Sequence, residues 1–511
     1  MHRSVRVAAL VVLLAGPGAL AFFAGGYFDK PRLYAAIVAW AAVAVVAVAD
    51  PWPLPRSRAG WLALGGLAAL TAWVALSLTW APLRAAALDD AQRMLLYLGA
   101  LILATVVMRP RWAARAAEPA VVAWISVAVL YGLSERLLPG LITLDRGAPA
   151  ANRLEQPLTY SNAMGALAAI GLVLCARLLG DRTRPPAVAA AAAALSVPLA
   201  VGEYLTFSRA ALVALVAGLV WLVALCPRRR QVEAIALITL AAAPCVLVAN
   251  ALGSVRTLSG PDREQQGLVM LAALLLVMAA AGALAWLRLR ATRAPGADAV
   301  LRRARPVAVV AAVVISLVPV AYVLASATDE DRIAGANPAS TTSASRLASG
   351  ESNRYEFWSV AVGAVGQEPL RGLGSGAFRS LWLRERTINQ TVNDAHSLYL
   401  ESLVELGLVG LGLLLAIVGG VALAARRAQR IDPAAAAGPI AALAVWALHA
   451  GLDWDWEMPA LTLVAVAMAG ALIARAEQDE PVAGDGPPVS RDLRPEPATA
   501  GAVPGPVPGA R

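Results

Sequence analysis

The chain has 511 residues, of which 59% are hydrophobic and 15% charged, with a formal net charge of +9. Apolar runs of about 20 residues, each long enough to cross a bilayer, recur along most of it and exclude an ordinary water-soluble globular fold. The positive charge is carried by short arginine clusters between those runs, so it gives no argument for nucleic acid as a partner.

In chain order, hydropathy predicts an all-α polytopic membrane protein with about 14 transmembrane helices (12–14). The expected spans are 5–24, 31–49, 59–79, 93–108, 118–138, 160–179, 186–204, 208–226, 233–252, 267–287, 306–327, 397–424, 435–452 and 458–475. Basic residues precede the first run, as in a signal peptide, but no small-x-small cleavage site leads into a soluble domain, and the run is read as retained. With a cytoplasmic N-terminus, Arg56 and Arg58, Arg109 to Arg115, Arg182 and Arg184, Arg228 to Arg230, Arg288 to Arg305, and Arg426 to Arg430 all fall inside. Merging or dropping a span would strand one of these clusters, such as Arg228 to Arg230, on the wrong side. One long loop, 328–396, is then extracytoplasmic. Cys175, Cys226 and Cys245 lie in or at the ends of apolar runs without CxxC spacing and are read as packing residues.

Several turns between spans carry polar residues. Trp80 suits the aromatic belt at a membrane interface. Arg153, Tyr160 and Asn162 precede or open a span; the Asn162 amide either caps that helix or touches a ligand, and capping is the simpler reading. Ser208-Arg209 sets an arginine at the positive end of an apolar helix, on the side where the charge rule does not want it. Such an arginine either snorkels to lipid phosphates or forms an anion site. Asp329-Glu330-Asp331 reads as a solvated acidic turn, and no metal is assigned.

The most informative stretch is 353–410. Asn353 with Glu356 has capping-box spacing, and Arg354 and Trp358 share a helix face. Glu368-Pro369 stops that helix, and Gly372, Gly374 and Gly376 permit a tight turn with close backbone approach. Asn393 or Asp394 is expected to cap the next helix. His396 then falls in its first turn, where the positive helix end favours a neutral, proton-accepting imidazole. Glu401 and Glu405 lie on the opposite face and are expected to meet an arginine or a polar network. Near the C-terminus, Asp453, Trp454, Asp455 and Trp456 fit either a sugar platform or an aromatic belt. Residues 477–511, rich in Pro, Gly and Ala, read as a disordered cytoplasmic tail.

Arg354-x-x-x-Trp358, Pro369 to Phe378 (PLRGLGSGAF), Ala395 to Leu400 (AHSLYL) and Glu405 to Gly410 (ELGLVG) together resemble the O-antigen ligase and O-antigen polymerase (Wzy-type) superfamily. Ser77 to Trp80, Tyr160 to Asn162 and Ser208-Arg209 support the likeness, which is sharp over 354–410. One departure is Ser397, where the family usually has Asn. The resemblance implies a C-type glycosyltransferase-like bundle over 1–476, in a bacterial cytoplasmic membrane with an extracytoplasmic active face. It implies transfer from a polyprenyl-diphosphate-linked glycan donor to a glycan or lipid acceptor, without metal or cofactor. By position, Arg209 and Arg354 would bind the donor diphosphate and His396 would serve as general base. Arg153, Asn162, Trp358, Tyr399, Asp453 and Asp455 are further candidates for substrate contact. Two other classes stay open at this point: a transporter or flippase of lipid-linked sugars, and a non-catalytic glycan-binding membrane protein.

Overall fold

Twelve helices are long and apolar enough to cross a membrane in the computed structural model, which describes residues 1–145, 152–290, 303, 305–310 and 353–478. In order they are α1 (Arg3–Ala21), α2 (Asp29–Ala49), α3 (Arg58–Ser77), α4 (Arg84–Val107), α5 (Arg111–Leu137), α6 (Ser161–Gly180), α7 (Pro186–Thr206), then after α8 comes α9 (Arg229–Ala251). Past the short α10 (Gly253–Thr257), α11 (Arg263–Arg290) is the next spanning helix. The last three are α14 (Leu398–Ile431), α15 (Pro433–Ala450) and α16 (Pro459–Ala476). The count among the described residues falls within the expected 12–14, and fourteen itself is not confirmed. The helix α8 (Arg209–Leu225) is apolar but only 17 residues long. The run at 306–327 is described only as far as residue 310, and the acidic turn at 329–331 and the tail from 479 lie outside the described residues. Among the described residues no strand occurs, and the chain is an all-helical, multi-pass membrane protein.

Two helices form the centre. In α6 and α16, 89% and 94% of the spanning window is buried by protein. Both are apolar all round, as a helix must be when neighbours cover every face. Close approach elsewhere rests on small residues: a Cβ on Gly420 of α14 would meet the backbone nitrogen of Ala63 in α3 at 2.4 Å. The basic turns gather at one end, where Arg184 pairs with Glu118 at 2.7 Å and Arg475 with Asp432 at 3.1 Å. The residues of 353–397 lie with the N-terminus of α16, about 27 Å away for a helix of 18 residues.

Two short helices, α12 (Arg354–Ala364) and α13 (Phe378–Glu385), stand before α14 with the glycine turn between them. Gly372, Gly374 and Gly376 have φ of +71°, +102° and +72°, and a Cβ on Gly374 would meet the Ala81 Cα at 2.5 Å. Only glycine adopts that backbone with a neighbour so close. The helix α14 breaks at Gly407 (φ +67°, ψ −167°). The break frees the carbonyls of Val404 and Glu405 to accept from Leu373 (3.0 Å) and Gly374 (2.8 Å). On its other side Leu408 N–H donates to Pro369 (2.9 Å) and Val409 N–H to Leu370 (3.2 Å). The Glu405 carboxylate accepts from the N–H groups of Gly376 and Phe378, each at 2.8 Å. Glu405 thus meets a polar backbone network, as expected.

Three local expectations fail. Asn353 makes no side-chain cap, and Glu356 instead accepts from the Thr387 backbone N–H (2.9 Å) and hydroxyl. Neither Asn393 nor Asp394 caps α14, whose N-cap is Ser397 without a side-chain bond, while Asn393 donates to the Tyr27 hydroxyl at 3.2 Å. His396 therefore precedes the helix, in the left-handed region at φ +55°. In both places a tertiary partner wins over a local capping bond.

Candidate active site

The site is organised on Asp453, which is wholly buried between α15 and α16. One of its oxygens, Oδ1, accepts from the Tyr160 hydroxyl (2.6 Å) and the Trp454 N–H (3.0 Å). The other, Oδ2, accepts from the Asn162 amide (2.8 Å) and pairs with Arg354 Nη2 (2.5 Å). Asn162 Oδ1 in turn accepts from Arg153 Nη2 at 2.6 Å, and Arg153 Nε donates to the Thr206 carbonyl at 2.6 Å. Asn162 is thereby committed to this network, and the capping reading gives way: its helix has Tyr160 as N-cap with no side-chain cap bond. Arg209 follows at the first residue of α8, where the Ser208 hydroxyl accepts from Ala211 N–H at 3.3 Å.

Charge balance follows from this packing. Burial alone would raise the Asp453 carboxyl, but Arg354 first, then His396 and His449, pull it down to about 2. Burial alone would likewise lower Arg354, and Asp453 together with Tyr160 outweighs it and raises the guanidinium. The Tyr160 hydroxyl is pushed well above its usual value, by burial and then by Asp453.

His396 stands beside this pair. Its ring lies 5.1 Å from that of Phe357 and 6.4 Å from Trp454 between centroids. Nδ1 is 3.0 Å from the Asp394 carbonyl oxygen. A carbonyl can only accept, so Nδ1 carries the proton in the neutral ring and the Nε2 lone pair is left open. Burial lowers the His396 pKa to about 4, with Arg354 acting in the same direction and Asp453 against it. The helix-end argument for a neutral ring is replaced by burial.

The remaining candidates sit apart from Asp453. Trp358 is buried at 2% exposure against Tyr355, with ring centroids 6.0 Å apart. Asp455 pairs with His449 Nδ1 at 2.5 Å, both side chains wholly buried. The Tyr399 hydroxyl donates to the Ala447 carbonyl at 2.8 Å, and its ring lines an apolar cavity of about 460 Å³ with Ile417, Trp446 and Trp456. Sequence reading passed over Tyr160, Phe357 and His449 as site residues, and took Trp454 only as part of a sugar platform or an aromatic belt. Tyr160 was within reach, standing two positions before Asn162; the others depend on long-range packing.

The fold defines a multi-pass membrane protein with an Arg–Asp pair whose carboxylate is wholly buried, and a half-buried histidine beside it at one end of the bundle. Residues 269–415 match the O-antigen ligase family model, and this match supports an O-antigen ligase/polymerase family membrane protein. The matched segment includes Arg354, the glycine turn and His396, and stops short of Asp453. Comparison with curated proteins finds no match. The family suggests a glycosyltransferase-like enzyme in envelope polysaccharide biosynthesis and implies lipid-linked glycan substrates.

Proposed function

We propose that the protein transfers a glycan from a polyprenyl-diphosphate carrier to an acceptor hydroxyl, as a ligase- or polymerase-like glycosyltransferase on the extracytoplasmic face of a bacterial cytoplasmic membrane. The observation that carries this reading is the tautomer of His396: with Nδ1–H on the Asp394 carbonyl, Nε2 is the open acceptor beside a fixed guanidinium. Nε2 takes the acceptor's proton as its oxygen attacks the anomeric carbon from the face opposite the diphosphate. The sugar–phosphate C–O bond breaks and the diphosphate leaves with the electron pair, so the anomeric configuration inverts. Arg354 and Arg209 supply the positive charge that the leaving group needs, and no metal is assigned to that task. Asp453, wholly desolvated, holds Arg354 in place through Nη2, and a planar guanidinium is the side chain suited to forked contact with phosphate oxygens. Arg153 and Asn162 position Asp453's network, and the apolar cavity beside Tyr399 supports a lipid chain as part of the donor.

A general base of this kind contributes about 10²–10⁴-fold. The test is turnover of a polyprenyl-diphosphate-linked glycan by purified protein in lipid vesicles. His396→Ala should lose turnover while keeping its unfolding temperature and its binding of the donor. Near wild-type turnover by a stably folded His396→Ala protein would overturn the mechanism, and a wild type that moves donor across the bilayer without consuming it would favour a transporter.

A further inference from the structure

At the basic end of the bundle, the far end of α16 from Asp453, the helices α5, α6, α15 and α16 leave a cavity of about 200 Å³ between them. That is far more room than one water needs. Five arginines line it, Arg111, Arg115, Arg177, Arg184 and Arg475, against the three acids Glu118, Asp181 and Asp432, so the walls carry two more positive charges than negative. The acids are all held by the inner arginines. Arg184 pairs with Glu118 at 2.7 Å and with Asp181 at 3.5 Å, Arg177 with Asp181 at 3.1 Å, and Arg475 with Asp432 at 3.1 Å. The surplus lies on the other two. Arg115 reaches only neutral oxygens, the Thr183 carbonyl and hydroxyl, each at 3.0 Å. Arg111 makes no hydrogen bond or ion pair among the described residues, and its charge opposes that of Arg475. Within the wall, Arg475 Nε is buried with no hydrogen-bond partner, on a residue only 8% exposed. A guanidinium without an anion, a second bonded only to neutral groups and an orphaned buried donor together describe a site short of an anion. Glu118 Oε1, buried without a donor, lies against Gly438, so the anion belongs with Arg111 and Arg115 rather than beside that oxygen. Trp112, next to Arg111, is 43% exposed with the Arg3 guanidinium 5.9 Å over its ring, a placement that suits the depth of lipid head groups.

We propose that this cavity binds one phosphate group, carried by an anionic phospholipid or by a soluble phosphate. Guanidiniums meet phosphate oxygens through forked, charge-assisted hydrogen bonds, and basic pockets between membrane helices are a recurrent seat for lipid phosphates. A phosphate here ties the start of α5 to the end of α16 and offsets the repulsion between Arg111 and Arg475. The inference is independent of the glycosyl-transfer reading, since the cavity and Asp453 stand at opposite ends of an 18-residue helix, about 27 Å apart.

The experiment uses full-length protein, delipidated in detergent, with phosphatidylglycerol, phosphatidylcholine and inorganic phosphate as probes. Native mass spectrometry should show one phosphatidylglycerol retained per chain in preference to phosphatidylcholine, or inorganic phosphate should raise the unfolding temperature above that in chloride at equal ionic strength. Retention of phosphatidylglycerol without a response to phosphate assigns the group to lipid, and a response to phosphate that phosphatidylglycerol does not exceed assigns it to a soluble source. Arg111→Gln and Arg115→Gln should each weaken binding of the effective probe by about 10-fold or more. Arg426→Gln, which removes the same charge from an exposed position on α14 outside the cavity, should not. Should Arg115→Gln fail to fold, Arg111→Gln carries the same reading, because Arg111 has no bond to lose. Absence of both responses in the wild type, unchanged binding in folded Arg111→Gln, or equal weakening by Arg426→Gln overturns the site.

Discussion

Arg354 and Asp453, 99 positions apart, meet at 2.5 Å with the carboxylate wholly buried and the guanidinium 19% exposed. The pair joins the loop helix α12 to the turn before α16, and its buried half is the anion. Asp453→Asn should therefore remove the buried anion that holds the partly exposed guanidinium and destabilise the protein by on the order of 3 kcal/mol. The folded carboxyl lies at about 2 against an ordinary value of 3.8, so its stabilisation is fully present above 3.8 and is lost as pH falls through 2. The loss of unfolding temperature in Asp453→Asn should accordingly be constant between about pH 5 and 8. A loss that shrinks on going from pH 8 to 5 would contradict the pairing.

Arg209→Ala and Arg354→Ala should lose donor turnover while the protein still inserts. Lysine should rescue poorly at both positions, since one ammonium cannot make a forked contact with phosphate. Full turnover by both lysine variants, measured alongside donor binding, would reduce the two arginines to interfacial anchors.

The pH profile distinguishes the two accounts of His396. An unperturbed imidazole would give a rate that falls below about pH 6.5. Burial holds this ring neutral to lower pH, so the histidine limb should be missing at 6.5 and appear only towards 4. Rates of donor turnover measured from pH 8 down to the acid limit of stability would show it, and a clear inflection at 6.5 that vanishes in His396→Ala would reject the burial argument.

Gly374→Ala is expected to be severe. The added methyl would meet the backbone of Ala81 at 2.5 Å, on a residue whose φ of +102° resists any side chain. Expression in the membrane fraction and unfolding temperature should both fall, whereas Gly363→Ala, with open space around it, should be tolerated. Equal stability of the two variants would remove the steric argument.

Membrane sidedness is testable with single cysteines and an impermeant thiol reagent. Thr391→Cys, on an exposed stretch, should react from outside, and Arg228→Cys, exposed in the basic turn before α9, should not. Gln231 is unsuitable as the inside probe because it is 2% exposed and donates to the Ala176 carbonyl at 2.8 Å. Labelling of Arg228→Cys in intact cells would invert the proposed orientation.

The spanning helices were legible because hydropathy is a local property that length and composition express directly. The glycine turn was legible for a similar reason: Gly372, Gly374 and Gly376 advertise a backbone that other residues avoid. Capping was not legible. Asn353, Asp394 and Asn162 all have the chemistry of caps, yet the Asn162 amide donates to Asp453, 291 positions away, and Glu356 is claimed by Thr387. The role of Asp453 itself had two readings in sequence, and only packing shows it as a wholly buried hub.

The break at Gly407 makes the loop and the membrane helix a single lever. Four main-chain bonds join 369–374 to the two sides of that break within a helix of 34 residues. Below the break, Ile417 and Val421 wall the apolar cavity. Above it, the same helix starts two residues after His396. The four bonds clamp the glycine turn across both sides of the break, so hydrogen exchange at Gly374 and Leu408 is expected to slow or quicken together.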